Sequence, residues 1–154
     1  MAMTAPTPPA ASLHLVVGYD GSPPAIRALD AAVRLLSGRA GQIVVLYVAH
    51  MPAVDAMSAD ALAEMRLSFE EIARDLRAQA EEQLRGREQR WEFEWRSGDI
   101  AAELTEAAVR IGEAAPGDTV AVVVGSSSHA RHRVIGSVPV SLSRHAPVPL
   151  VIVP

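Results

Sequence analysis

The chain contains no cysteine and no lysine. The first absence removes disulfides, thiolate nucleophiles and thiolate-bound structural zinc together. The second removes a P-loop lysine, a Schiff-base lysine and a lysine nucleophile, because all 14 Lys/Arg positions are arginine. Negative charge on a ligand must then be met by guanidinium groups, backbone N–H groups or a metal. Apolar residues make up 49% of the chain, yet no uninterrupted apolar run approaches the roughly 18 residues that cross a bilayer, so no membrane span is expected. Residues 1–12, M-A-M-T-A-P-T-P-P-A-A-S, lack the basic start and apolar centre of an export signal. They are expected to be a disordered tail ahead of one domain over residues 13–154, with the cytoplasm as its location. A net charge of −4 speaks against nucleic acid as a partner.

At 154 residues a single domain can bury about 70% of the surface its unfolded chain exposes. The apolar pattern alternates between two periods. Residues 13–17 form a short apolar strand ending in the turn Gly18-Tyr19-Asp20-Gly21-Ser22. Ser22 then caps a helix opened by Pro23 and Pro24, with Ile26, Leu29, Val33 and Leu36 at helical spacing and Gly38 as its stop. Residues 43–48 are continuously apolar and β-branched, the pattern of a strand covered on both faces.

Over residues 58–85, Leu62, Met65, Phe69, Ile72 and Leu76 step by three and four, which predicts a long amphipathic helix with Gly86 as terminator. Trp91, Phe93 and Trp95 alternate with Glu92, Glu94 and Arg96, a strand with one apolar face. Ser97-Gly98-Asp99 caps a helix carrying Ile100, Leu104, Ala108 and Ile111, and Pro116-Gly117-Asp118 turns the chain into a strand over 119–124. A short helix to about His145 and a strand over 150–153 complete the chain.

Strands that alternate with helices in this way predict an α/β fold: one open five-stranded parallel sheet of Rossmann-like type, with right-handed crossovers and helices on both faces. The first and fourth strands end in glycine/serine turns. Ligands of such sheets sit beyond the strand carboxyl ends, where the crossovers change side. If both turns serve one ligand, their strands are neighbours, which selects the order 3-2-1-4-5 over 2-1-3-4-5.

The second of those turns is the richest stretch of the chain. A β-branched run stops at Gly125, and Ser126, Ser127, Ser128, His129, Arg131, His132 and Arg133 follow before Gly136-Ser137 opens a helix. Ser137 suits a helix N-cap, and Pro139 is tolerated in a first turn, where its missing N–H has no partner to lose. Free backbone donors, a helix dipole, hydroxyls and arginines make a cradle for phosphate. The plainer reading is a polar surface loop. Asp20 likewise has two readings, a ligand-binding carboxylate or an Asx-turn residue bonding its own backbone. His129 and His132 lack a third neighbour for a metal site and read as solvated loop residues. No G-x-G-x-x-G dinucleotide fingerprint is present, since the first turn offers only Gly18 and Gly21.

With V-V-G-Y-D-G-S, the loop after the fourth strand, L-Y-V-A-H, R-S-G-D and the closing A-P-V-P-L-V-I-V-P in hand, the sequence resembles the universal stress protein family from Leu13 to Pro154. The resemblance implies the five-stranded fold above, homodimers that pair their last strands, and a division into members that bind ATP and members that do not. In the ATP-binding branch an aspartate after the first strand holds the ribose side, and backbone at the end of the second strand meets the base. Gly18, Tyr19 and Asp20 occupy the first of these places and Val48 the second. The phosphates are held by G-x-x-G, nine residues, then G-[S/T]. Gly125 matches the first glycine, and Gly136-Ser137, followed by Val138, matches the closing pair. The second glycine is replaced by Ser128, and seven residues instead of nine separate it from Gly136. The hydroxyls of Ser126 and Ser128 and the guanidiniums of Arg131 and Arg133 offer compensation.

The resemblance therefore implies an adenine nucleotide, ATP with or without Mg²⁺, bound by a homodimeric stress-response sensor with little turnover, at most a slow ATPase. Asp20 is the carboxylate that would meet a magnesium ion through water. The competing reading is a dimeric interaction module whose phosphate loop is degenerate. A hydrolase would have to take its base from Asp20, His129 or His132.

Overall fold

The computed structural model describes residues 10–51, 57–126 and 137–154. Nine elements alternate along them: β1 (Leu13–Gly18), α1 (Pro23–Leu36), β2 (Gly41–His50), α2 (Ala59–Leu84), β3 (Arg90–Gly98), α3 (Ile100–Ala114), β4 (Thr119–Gly125), α4 (Ser137–His145) and β5 (Leu150–Val153). The five strands form one parallel sheet in the order β3-β2-β1-β4-β5. This is the order expected from the two glycine turns.

Alternation along the central strands divides the core in two. Leu15, Val17 and Tyr19 of the first strand segment, with Ile43 and Val45 of β2, meet Ala28, Leu29, Ala32 and Leu36 of α1 and Leu76, Ala80 and Leu84 of α2. On the opposite face Val16, Val44, Leu46 and Val122 pack on Leu104, Ala107 and Ala108 of α3 and on Leu142 of α4. Both faces of β1, β2 and β4 are thus covered, which explains why these strands read as continuous apolar runs. No polar or charged side chain is fully buried among the described residues.

Three local expectations change. In α1, Ile26 is 38% exposed, and Ala25, Ala28 and Ala32 join Leu29, Val33 and Leu36 on the buried face. In α2 the buried stripe is Ala73, Leu76, Ala80 and Leu84, while Ile72 is 43% exposed. Alanine brings a helix backbone closest to a sheet, so the contact line follows the alanines even where a larger side chain stands one residue away. In α4, Ser137 is the first helical residue and not the cap, and Pro139 in its first turn is buried. Proline has no N–H to leave unpaired there. Of the β3 aromatics, Trp91 and Phe93 are half-buried against the first cluster, and Trp95 lines a groove with Met51, Leu62 and Phe69.

Ser12, placed with the tail by composition, is tied down. Its N–H donates to Asp118 Oδ1 at 3.0 Å and its carbonyl accepts the Thr119 N–H at 2.9 Å. Asp118 Oδ2 lies 2.9 Å from His14 Nε2. The His14 hydrogen bond, then the Ser12 N–H, hold the Asp118 carboxyl below the usual carboxylate range. A depressed carboxylate contributes stability above its unfolded value, about 3.9, and that contribution is lost as pH falls through the lower folded value. Asp118→Ala is accordingly expected to lower the melting temperature at neutral pH. The deficit relative to the unsubstituted chain should shrink as the pH is taken below the ordinary carboxylate range, which thermal unfolding across pH will measure.

Candidate functional site

All five strands run the same way, so the amino ends of α1, α3 and α4 gather at the carboxyl edge of the sheet. Between β1 and β4 the crossovers change side: α1 lies on one face and α3 on the other. The gap left there is a cleft of about 240 Å³. Its apolar floor comes from Leu46 and Val48 of β2, Ile100 and Leu104 of α3, and Val124 of β4. Its polar rim comes from Asp20 and Ser22 in the first turn and Ser137 at the start of α4.

The turn after β1 is built from its own side chains. Tyr19 N–H donates to Leu46 O at 2.9 Å, which carries the β1–β2 ladder one residue past the strand. Asp20 Oδ1 accepts the Ser22 N–H at 3.0 Å, an Asx-turn. Ser22 Oγ then accepts the Ala25 N–H at 3.4 Å and caps α1. Gly21 has φ +75°, the left-handed region, and a Cβ there would also stand 2.7 Å from Leu76 Cδ2 of α2. The turn reading of Asp20 is therefore correct, and it engages only one carboxylate oxygen of a residue that lines the cleft.

Electrostatically the described lining is simple. Asp20 is its one formal charge among the described residues. Burial raises the Tyr19 phenol above its usual range, followed by the charges of Asp20 and Asp30. Burial raises Tyr47 as well, with Asp20 second. Both phenols therefore remain neutral hydrogen-bond donors at physiological pH. Positive potential at the rim comes from the amino ends of α1, α3 and α4.

On the far side, β4 ends in the tightest contact of the site. A Cβ added to Gly125 would collide with the carbonyl of Pro24 in α1. Only glycine lets β4 and the first turn of α1 approach so closely. Beyond it Ser126 N–H donates to Val153 O at 2.7 Å, and Arg27 of α1 donates to Ser126 O at 3.4 Å and to Pro154 O at 3.0 Å.

Of the residues singled out from sequence, Gly18, Tyr19, Asp20, Val48, Gly125, Ser137 and Val138 line the one cleft. Ser126 stands beside it, its backbone engaged by β5 and Arg27. Ser128, Arg131, Arg133 and Gly136, with His129 and His132, lie outside the described residues. Sequence reasoning missed Leu46, Ile100, Leu104 and Pro24. Leu46 precedes Val48 in the same strand. The Asp99 cap, whose Oδ1 accepts the Ala102 N–H at 2.9 Å, was the available signal that the first turn of α3 faces this edge.

The universal stress protein family model matches residues 13–154. The chain belongs to that family. Solved structures agree in fold. Universal stress protein UspA from Lactobacillus plantarum is 22% identical with a TM-score of 0.72, over 94% of this chain and 99% of that one. A universal stress protein in complex with cAMP is 24% identical with a TM-score of 0.58, over 94% and 99%. A universal stress protein family protein from Arabidopsis thaliana with AMP bound is 16% identical with a TM-score of 0.60, over 92% and 90%. Among curated proteins none matches this chain. No helix among the described residues of this universal stress protein is long and apolar enough to cross a membrane, and no group of three or more metal-binding side chains occurs among them.

Gly125→Ala tests the close approach. The added methyl meets backbone, which cannot rotate aside, so the expected cost is about 1–3 kcal/mol of unfolding free energy. Denaturant unfolding will measure it; an unchanged midpoint would contradict the contact.

Proposed function

We propose that this universal stress protein binds an adenine nucleotide between the carboxyl ends of β1 and β4 and acts as a sensor with little or no turnover. The observation that carries the reading is the convergence of the Asp20 turn, Gly125 and Ser137-Val138 on one cleft. Each part has a chemical counterpart in the ligand. The apolar floor of Leu46, Val48, Ile100, Leu104 and Val124 suits a purine face. The Asp20 oxygen not used by Ser22 accepts a ribose hydroxyl. The amino end of α4 receives phosphate, with Ser126, Ser128, Arg131, Arg133 and Gly136 assigned to the same task.

The structural neighbours in complex with cAMP and with AMP bound support adenine as the base. Asp20 is the one carboxylate of the described lining, and one of its oxygens is committed to the turn. That supports binding over hydrolysis. It also makes Asp20 the contact for magnesium, through water, where ATP is the ligand. We place the homodimer contact on β5, which pairs with β4 on one side and ends the sheet on the other, and the protein in the cytoplasm, where it serves a stress response.

A second reading, a dimeric interaction module that binds no nucleotide, is favoured by Ser128 in place of a glycine and by the shortened loop. Ligand-dependent unfolding separates the two. A nucleotide at a hundredfold excess over its dissociation constant is expected to stabilise the chain by about 2.7 kcal/mol. Asp20→Ala is expected to remove most of that gain for AMP, cAMP and ATP alike. Melting temperatures indifferent to millimolar concentrations of all three, together with protein that carries no nucleotide by native mass spectrometry, would favour the second reading.

A further inference from the structure

The Asp20 turn is held from outside its own loop. Tyr19 precedes the ligand-facing carboxylate, and its hydroxyl donates to Gln83 Oε1 of α2 at 3.3 Å. The Gln83 amide nitrogen donates to Ile26 O at 2.8 Å and to Asp30 Oδ1 at 3.1 Å, both on α1. Chemistry fixes the amide orientation: a main-chain carbonyl and a carboxylate can only accept, so the nitrogen faces them and the oxygen faces the phenol. Two turns and one turn earlier on α2, Leu76 and Gln79 stand where a side chain at Gly21 would go, at 2.7 and 2.9 Å from an added Cβ. The residues on either side of Asp20 are thus both fixed against the last turns of α2.

We infer that Gln83 is a positioning residue for the nucleotide site, joining α2, α1 and β1 so that the Asp20 turn keeps its ligand-competent shape. The inference rests on the nucleotide-binding reading and deepens it. Gln83 does not line the cleft; it acts through Tyr19, which is 3% exposed and belongs to the same buried cluster as Leu76, Ala80 and Ala25. Tyr19 is held neutral and so keeps donating to Gln83. The site would then be sensitive to events on α2, a 26-residue helix whose exposed Leu67 and Ile72 lie well before this contact.

Gln83→Met keeps the length and removes all three hydrogen bonds. Gln83→Glu keeps the acceptor toward Tyr19 and sets a carboxylate against Ile26 O and Asp30. Calorimetric titration of the full chain with AMP and with adenosine is the test, alongside amide hydrogen exchange in the ligand-free protein. Both variants are expected to weaken both ligands by a similar factor, roughly three- to tenfold, because the Asp20 turn serves the nucleoside and not the phosphate. Exchange at the Ser22 amide, whose partner is Asp20 Oδ1, should quicken. Asp30→Asn combined with Gln83→Glu restores a donor opposite the new carboxylate and should recover part of the loss. Asp118→Ala, a destabilising change at the other end of the sheet, should leave affinity and Ser22 exchange near those of the unsubstituted chain.

Unchanged affinity in Gln83→Met and Gln83→Glu, with the unsubstituted chain binding normally, would overturn the inference and leave the nucleotide reading intact. An equal loss of affinity in Asp118→Ala would also overturn it, by reducing Gln83 to general stability. Failure of the unsubstituted chain to bind either ligand would refute the reading beneath it. Should Gln83→Met not fold, Tyr19→Phe removes the same hydrogen bond from the other side and is expected to give the same pattern.

Discussion

The pairing of β1 with β4 is the constraint on which the rest depends. Residues Leu13 to Val17 lie in parallel register with Thr119 to Val123, although more than a hundred residues separate them. That register brings both strands to the same edge, one ending at Gly18 and the other at Gly125. With α1 on one face and α3 on the other, a cleft between the ends of the pair is the geometric result. Slipping the register would move every apolar side chain of β1 out of its cluster. The core that stabilises the sheet and the cleft at its edge therefore come from a single arrangement.

The chemistry of the cleft follows from strand direction more than from its side chains. Parallel strands place helix amino ends along one edge, so three positive dipole ends face a space whose described lining has a single carboxylate. An anion entering that space would meet backbone and helix ends, and the chain has no lysine to supply instead. Close approach matters for the same reason. Gly125 lets β4 run against the carbonyl of Pro24, and Arg27 fastens the segment beyond it to α1 and the end of β5.

Sheet order was legible from the glycine/serine turns after β1 and β4, because turns that serve one ligand require their strands to be neighbours. The place of Asp20 on the cleft was legible for that reason, and its Asx-turn could be anticipated from residue type alone. The apolar walls were not. Ile100 and Leu104 read as ordinary core positions at helical spacing, and only the folded chain shows them to be shared between core and cleft. The buried face of α2 was misjudged by one residue because hydropathy ranks Ile72 above Ala73, whereas a helix lying close to a sheet selects the smaller side chain. Gln83 carried no signal at all, since a glutamine near the end of a charged helix reads as solvated surface until its partners on α1 and β1 are known.

The central claim is that one guest occupies the space between the β1 and β4 ends. A crystal structure of the full chain grown with AMP tests it most directly. The account predicts density for the base against Leu46, Val48, Ile100 and Leu104, a ribose hydroxyl within hydrogen-bond distance of Asp20, and phosphate at the amino end of α4. Density for AMP elsewhere on the molecule, or a cleft occupied by the protein's own side chains at saturating AMP, would contradict it.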